Sequence, residues 1–115
     1  MASEALATCL EEAGLIDLQM RTCYVDFAQA EDTRLNRNWR AAIEAVGGRE
    51  SVGGQSLIEA QRAWIAYRDV ACDYYTALDN PGTLDRLQAQ ICYAELVTRR
   101  ADEFAMIAKN FRSGD

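Results

Sequence analysis

The chain has 115 residues, of which 50% are apolar and 26% are charged, and its formal net charge is −6. This length fits one hydrophobic core, so we expect one domain over residues 1–115 that ends in a frayed tail at 112–115. The acidic excess argues against nucleic-acid binding, which needs a clustered basic surface. It favours a basic protein partner, with an acidic surface that serves only solubility as the alternative.

Targeting signals leave two interpretations open. No stretch contains the run of about 18 to 20 apolar residues that a transmembrane helix needs. Residues 1–4 lack the basic start of a secretory signal peptide, and no apolar segment follows them. The chain is therefore either cytosolic or the mature part of an exported protein whose signal peptide has been removed.

Four helices are predicted, over residues 3–13, 16–46, 55–79 and 83–111. Gly14, the glycine-bracketed loop 47–54 and the turn 79–82 separate them. The segments between are rich in good helix formers and show no strand-like alternation. The predicted fold is all-α, an antiparallel bundle of three long helices plus a short N-terminal helix, with two disulfides.

Apolar stripes with helical spacing predict the buried faces of the long helices. In the second helix the stripe is Leu35, Trp39, Ala42 and Val46. In the fourth helix it is Leu84, Leu87, Ile91, Ala94, Phe104, Ile107 and Phe111. Gln55 or Ser56 is expected to open the third helix, and Thr83 the fourth.

Four cysteines, Cys9, Cys23, Cys72 and Cys92, are an even number in a short chain. No Cys-x-x-Cys spacing and no histidine is present, so zinc, haem and thioredoxin-type sites lack their usual signatures. The alternative to disulfides is four reduced cysteines that pack as small apolar residues.

Helix geometry favours two local disulfides. The members of the pairs Cys9–Cys23 and Cys72–Cys92 would lie roughly 21 and 30 Å apart on straight helices, far beyond disulfide reach. The chain is predicted to reverse inside each pair, at Gly14 and at residues 80–82. We therefore favour these pairs over the two crossed connectivities, and with them a periplasmic or secreted location.

The predicted third helix carries polar residues on its apolar face. Its stripe is Leu57, Gln61, Trp64, Arg68, Cys72 and Tyr75. Arg68 is expected to stack on an aromatic ring or to pair with a carboxylate, because a lone buried charge is costly. The candidate carboxylates are Glu31, Asp32, Glu95 and Glu103. Asn36 and Arg100 are similar polar residues on packed surfaces. These residues form either a binding site or an internal network that sets helix register, and we favour the network because packing explains every position.

Catalysis is not predicted. The chain has no histidine, the commonest general base, and no serine or cysteine in an activated setting. The loop 47–54 lacks the lysine and following Ser or Thr of a phosphate loop, and no calcium loop is present. We expect no enzyme activity, no cofactor and no metal.

The sequence resembles the LprI-like lysozyme-inhibitor domain family. The resemblance covers about residues 9–108 and includes a Gln-x-x-Trp-x-x-x-Arg-Asp-x-x-Cys block. The matching residues are Asp32, Leu35, Asn36, Trp39, Gln61, Trp64, Arg68, Asp69, Cys72, Cys92, Leu96 and Arg100. Trp39 replaces the usual tyrosine, Val97 replaces the usual threonine, and the turn before Cys92 is shorter.

This resemblance implies a helical fold, export and paired cysteines, and it implies lysozyme inhibition more loosely. The leading hypothesis is an exported binding protein that inhibits lysozyme-type muramidases, with lysozyme or another basic exported protein as partner. The alternative is a structural or adaptor module of the cell envelope. The loops 47–54 and 79–83 are the expected contact sites, and the sequence leaves the oligomeric state open.

Overall fold

Four α-helices make up most of the protein, whose structure is a computed structural model that describes residues 2–77 and 82–113. They are α1 (Ala2–Ala13), α2 (Asp17–Ala45), α3 (Val52–Ala71) and α4 (Thr83–Ser113). A single 3₁₀ turn, Asp73–Tyr75, follows α3. No β-strand occurs in the described ranges, and the predicted all-α fold is confirmed. The tail predicted at 112–115 begins inside α4, and residues 114–115 lie outside the described residues.

Helix α3 begins earlier and ends earlier than predicted. It begins after Ser51, whose Oγ accepts a hydrogen bond from the Gly54 N–H at 2.9 Å. Gly53 and Gly54, which end the predicted loop, thus belong to the first turn of α3, where a Cβ on Gly54 would overlap the Gly48 carbonyl. The helix ends at Ala71 because Cys72 leaves helical geometry, with φ −105° and ψ 2°, where it joins a disulfide. The predicted end at 79 lies outside the described residues.

Successive long helices run antiparallel, and α2 and α4 therefore run in the same direction. Along α2, Asp32 contacts Tyr93, and Trp39 lies one to two turns further on beside Phe104. Residue numbers on α2 and α4 thus increase in the same direction along the bundle. Between α3 and α4 the order reverses, because Gln61 contacts Arg100 and Cys72 joins Cys92. The antiparallel bundle is confirmed, with a parallel α2–α4 pair at its centre.

Buried residues at seven-residue spacing, five of seven of them alanines, bring α2 and α4 close together. The buried positions are Ala28, Leu35 and Ala42 on α2 and Leu87, Ala94, Ala101 and Ala108 on α4. Alanines at a helix contact reduce the distance between the axes. Asn38 consequently reaches across, and its Nδ2 donates to the Ala101 carbonyl at 2.9 Å.

The core lies between this pair and α3. Leu35, Ala42, Val97, Ala101 and Phe104 are buried together, and five larger side chains pack against them: Trp39, Leu57, Trp64, Tyr93 and Ile107. The predicted stripe on α4 is wrong at its two ends. Leu84 is 63% exposed and Phe111 is 55% exposed, and both lie in the terminal turns of α4.

Both predicted disulfides are present. Cys9–Cys23 joins α1 to α2, and Cys72–Cys92 joins the end of α3 to α4, with Cα–Cα distances of 5.7 and 5.9 Å. Helix α1 packs on α2, and it is fastened there across the chain reversal at Gly14. Within the described residues, no helix is both long and apolar enough to span a membrane.

Candidate functional site

The predicted polar cluster centres on Arg100. Its Nε donates to Oε1 of the buried Gln61 at 2.9 Å, and its Nη1 lies 3.3 Å from Oε2 of Glu103. The guanidinium carbon also lies 4.5 Å from the centre of the Phe104 ring and 5.7 Å from that of Trp64. Arg100 therefore links α4 to α3 through one hydrogen bond, to Gln61, and one aromatic contact, with Trp64, while Phe104 supports it from its own helix.

Arg68 does not pair with any of the four carboxylates expected from the sequence. Its Nε and Nη2 donate to Oδ1 of the adjacent Asp69, at 3.1 and 2.9 Å. It also lies over Trp64, with 5.6 Å from the guanidinium carbon to the ring centre. The Asp69 side chain is 60% exposed, so this pair lies at the surface, where ion pairs contribute little to stability.

Asp32 is within the packed region, whereas Asn36 is exposed. The Tyr93 hydroxyl donates to Oδ2 of Asp32 at 3.2 Å, and burial together with this carboxylate raises the pKa of the Tyr93 phenol. The Asn36 side chain lines a shallow surface pocket beside Trp39. The neighbouring Asn38 makes the cross-helix contact instead.

Glu31, one of the four carboxylates expected as a partner of Arg68, is buried at the α2–α4 contact and pairs with Arg34 instead. Glu31 is 5% exposed and accepts hydrogen bonds from Arg34 Nε at 2.6 Å and from Thr98 Oγ1 at 3.2 Å. Nη1 of Arg34 also forms an ion pair with Oδ1 of Asp102 at 2.8 Å. The hydrogen bond to Glu31 raises the pKa of Arg34. The available signal was the three-residue spacing of Glu31 and Arg34, which favours ion pairs on a helix.

These polar groups satisfy one another. Across residues 2–77 and 82–113, no buried side-chain nitrogen or oxygen lacks a hydrogen-bond partner. The same residues contain no group of acidic side chains or cysteines arranged to hold a metal ion. A binding pocket usually presents polar groups that await a ligand, and this cluster presents none among its buried atoms.

Negative charge is concentrated at one end of the molecule. Residues 1–33 contain seven of the 18 acidic residues and one of the 12 basic ones, a net charge of −6. Residues 34–115 contain the remaining 11 of each sign and are neutral overall. Glu11, Glu12 and Asp26 are exposed on α1 and the first half of α2, which form what we call the acidic end. Counted along the sequence, the whole excess charge of the protein thus falls in residues 1–33, and of these acidic residues Glu31 is buried and pairs with Arg34 just beyond that segment.

Of the two loops that were expected to contact a partner, 47–54 is fully described, and it does not belong to the acidic end. In 47–54, Ser51 Oγ donates to the Gly48 carbonyl at 2.7 Å and closes a tight turn, beside which Val52 is 89% exposed. Residues 79–81 lie outside the described residues. The turn between α1 and α2, which the sequence did not single out, instead exposes Leu15 (95%), Ile16 (54%) and Leu18 (65%).

A second exposed surface is aromatic and lies at the end of α3. Tyr67, Val70 and Tyr74 are each more than half exposed, and the rings of Tyr74 and Tyr75 lie 4.2 Å apart. A groove of about 430 Å³ separates this tyrosine face from α4. Tyrosines of this kind are enriched at protein interfaces.

The fold and surfaces define a disulfide-linked helical protein without a ligand-ready polar pocket among its described residues. Residues 9–104 match the family described as "Lysozyme inhibitor LprI", and the chain belongs to that family. It is also similar to an uncharacterized protein of Rhizobium meliloti (strain 1021), with 28% identity over 105 residues that cover 83% of this chain and 74% of the relative. No solved structure matches the chain.

Proposed function

We propose that this protein is an exported, non-enzymatic binding protein that inhibits a basic muramidase of the lysozyme type. The observation that carries the proposal is the acidic end, where residues 1–33 hold a net charge of −6. The family to which the chain belongs supports the inhibitory role. The two disulfides support export, because disulfides persist in oxidising compartments.

The chemistry of such an inhibitor is association rather than catalysis. A dense negative field attracts a positively charged enzyme and raises the association rate, and this effect falls as salt screens the field. Once bound, the inhibitor blocks the substrate cleft. The polar cluster around Arg100 is proposed to act at a distance from this contact, as an internal network that holds α3 in register with α4.

The direct test is lysis of bacterial cell walls by a c-type lysozyme, with and without the purified protein at low salt. We expect slower lysis at micromolar inhibitor and weaker inhibition as salt rises. A matched pair of variants then tests the position of the charge. Glu11→Gln/Glu12→Gln and Glu44→Gln/Glu50→Gln each remove two exposed carboxylates, the first pair from the acidic end and the second from the neutral region.

The first pair should slow association several-fold at low salt, whereas the second should leave it near the wild-type rate. Equal effects of the two pairs would show that only total charge matters and would contradict a specific acidic docking surface. Full-speed lysis, together with no binding of lysozyme in calorimetry, would exclude inhibition of that enzyme.

The tyrosine face supports a second candidate, an adaptor module of the cell envelope. Its exposed residues, Tyr67, Val70 and Tyr74, are uncharged and have no role in attracting a basic enzyme. Capture of an envelope protein by the wild type but not by Tyr67→Ser/Tyr74→Ser, with lysozyme unaffected throughout, would favour the adaptor.

A further inference from the structure

We propose that the turn between α1 and α2 is the apolar anchor of the inhibitor and that it enters the substrate cleft of the basic muramidase. This inference rests on the proposed function and adds the contact site to it. The turn comprises Gly14, Leu15 and Ile16, and Leu18 extends its surface into the first turn of α2.

The clustering of exposed aliphatic side chains sets this turn apart. Leu15 is 95% exposed, and Ile16 and Leu18 are 54% and 65% exposed. Three large aliphatic side chains within four residues are costly to leave in water, because each gains about 1.5 to 3 kcal/mol on full burial. A partner surface that covers them would recover that free energy, whereas α1 and α2 leave them open.

The turn is also held in shape before any partner arrives. Gly14 adopts φ +62°, and its N–H donates to the Leu10 carbonyl at 3.2 Å, which closes the end of α1. The Ile16 N–H donates to the carbonyl oxygen of the buried Ala13 at 3.3 Å, and the Cys9–Cys23 disulfide links the two helices behind the turn. A preorganised contact loses less conformational entropy on binding.

The charge around the turn indicates which kind of partner binds it. The exposed Glu11 and Glu12 precede the apolar residues, and Asp17, which pairs with Arg21 at 3.0 Å, lies between Ile16 and Leu18, all within the segment of net charge −6. An apolar centre with an acidic rim is complementary to a cleft with apolar walls in a basic protein. The same carboxylates would be repelled by the anionic surface of a bacterial membrane. A basic protein is therefore the partner that both features fit.

The test compares two double variants in which the replaced side chains are similarly exposed. Leu15→Ser/Leu18→Ser removes two side chains from the turn, and the control Val52→Ser/Leu84→Ser removes two side chains that are 89% and 63% exposed elsewhere. We expect the first variant to raise the inhibition constant against c-type lysozyme by at least about tenfold, as for an interface hot spot. The control should match the wild type. Circular dichroism should show the same melting temperature for all three proteins, because the replaced side chains are exposed.

A second arm tests entry into the cleft. Lysozyme whose cleft is filled by a soluble chitin oligomer should bind the wild type at least about tenfold more weakly. Unchanged inhibition by Leu15→Ser/Leu18→Ser, or equal binding to the filled enzyme, overturns the anchor and leaves the proposed function standing. Failure of the wild type to bind or inhibit lysozyme removes both. Binding to phosphatidylglycerol vesicles that is lost in Leu15→Ser/Leu18→Ser would instead make the turn a membrane contact and overturn the proposal.

Discussion

The acidic end and the three-helix part of the molecule, residues 34–113, differ in charge balance and in the size of their buried side chains. In residues 2–33 the buried apolar residues are small, namely Ala13, Cys23 and Ala28, and the charge is unbalanced. In residues 34–113 charge is nearly balanced, and Phe104 and Val97 are fully buried. Like charges that crowd together oppose folding, so the region that carries them gains more from a disulfide than from its core. Under the proposed function, stability and the attraction of a partner are thus assigned to different parts of one chain.

The largest expected effect is in the core. Phe104→Ala should lower the free energy of unfolding by about 3 to 5 kcal/mol, because it leaves a cavity under Trp39 and removes the ring beneath Arg100. Phe111→Ala is the matched control on the same helix, where the ring is 55% exposed, and it should change stability by less than about 0.5 kcal/mol. Urea unfolding measures both. Equal losses for the two variants would contradict the position of the core.

The next effect separates the two arginines of the polar cluster. Arg100→Ala should cost about 2 kcal/mol, because the Arg100 side chain is 11% exposed and its loss leaves the buried Gln61 amide oxygen without its donor. Arg68→Ala should cost about 1 kcal/mol or less, since its ion pair with Asp69 is at the surface. Thermal unfolding of each variant checks the order.

Lysozyme inhibition by the same two variants tests the network interpretation. If both arginines are structural, inhibition by the folded variants should remain close to that of the wild type. A variant of Arg68 that keeps its stability but loses inhibition would make this cluster the binding site and would move the partner contact away from the acidic end.

Local rules were enough to predict most of the fold. Helical spacing, Gly14 as a chain break and the reach of a disulfide predicted the bundle and both cysteine pairs, because each depends on nearby sequence. The end of α3 at Ala71 was missed, since it depends on how Cys72 turns towards a cysteine 20 residues away. Of the two partners of Arg68, the aromatic ring was among those expected, whereas the carboxylate of the adjacent Asp69 was not, because i, i+1 neighbours on a helix do not usually face each other.

The anchor turn could not be predicted from local pattern. Leu15 and Ile16 have the composition of core residues, and only the three-dimensional arrangement reveals that nothing in the described chain covers Leu15. The uneven charge was visible in the sequence as a difference between residues 1–33 and the remainder. That these charges share one end of the molecule became clear only from the structure, in which α1 packs beside the start of α2.

The smallest expected effect on global stability tests the comparison most directly. Cys9→Ser/Cys23→Ser removes a constraint of about 3 kcal/mol, but among the described elements α1 packs on α2 alone, so the loss should appear as local opening of α1. Amide hydrogen exchange in α1 should accelerate, while the melting temperature of α2, α3 and α4 falls little. Cys72→Ser/Cys92→Ser removes a bridge inside the three-helix part and should lower the global melting temperature instead.

Because the anchor turn is held between Cys9 and Cys23, the Cys9→Ser/Cys23→Ser variant should lose inhibition while it stays folded. The Cys72→Ser/Cys92→Ser variant should inhibit normally below its melting temperature. The reverse pattern would place the binding surface in the three-helix part.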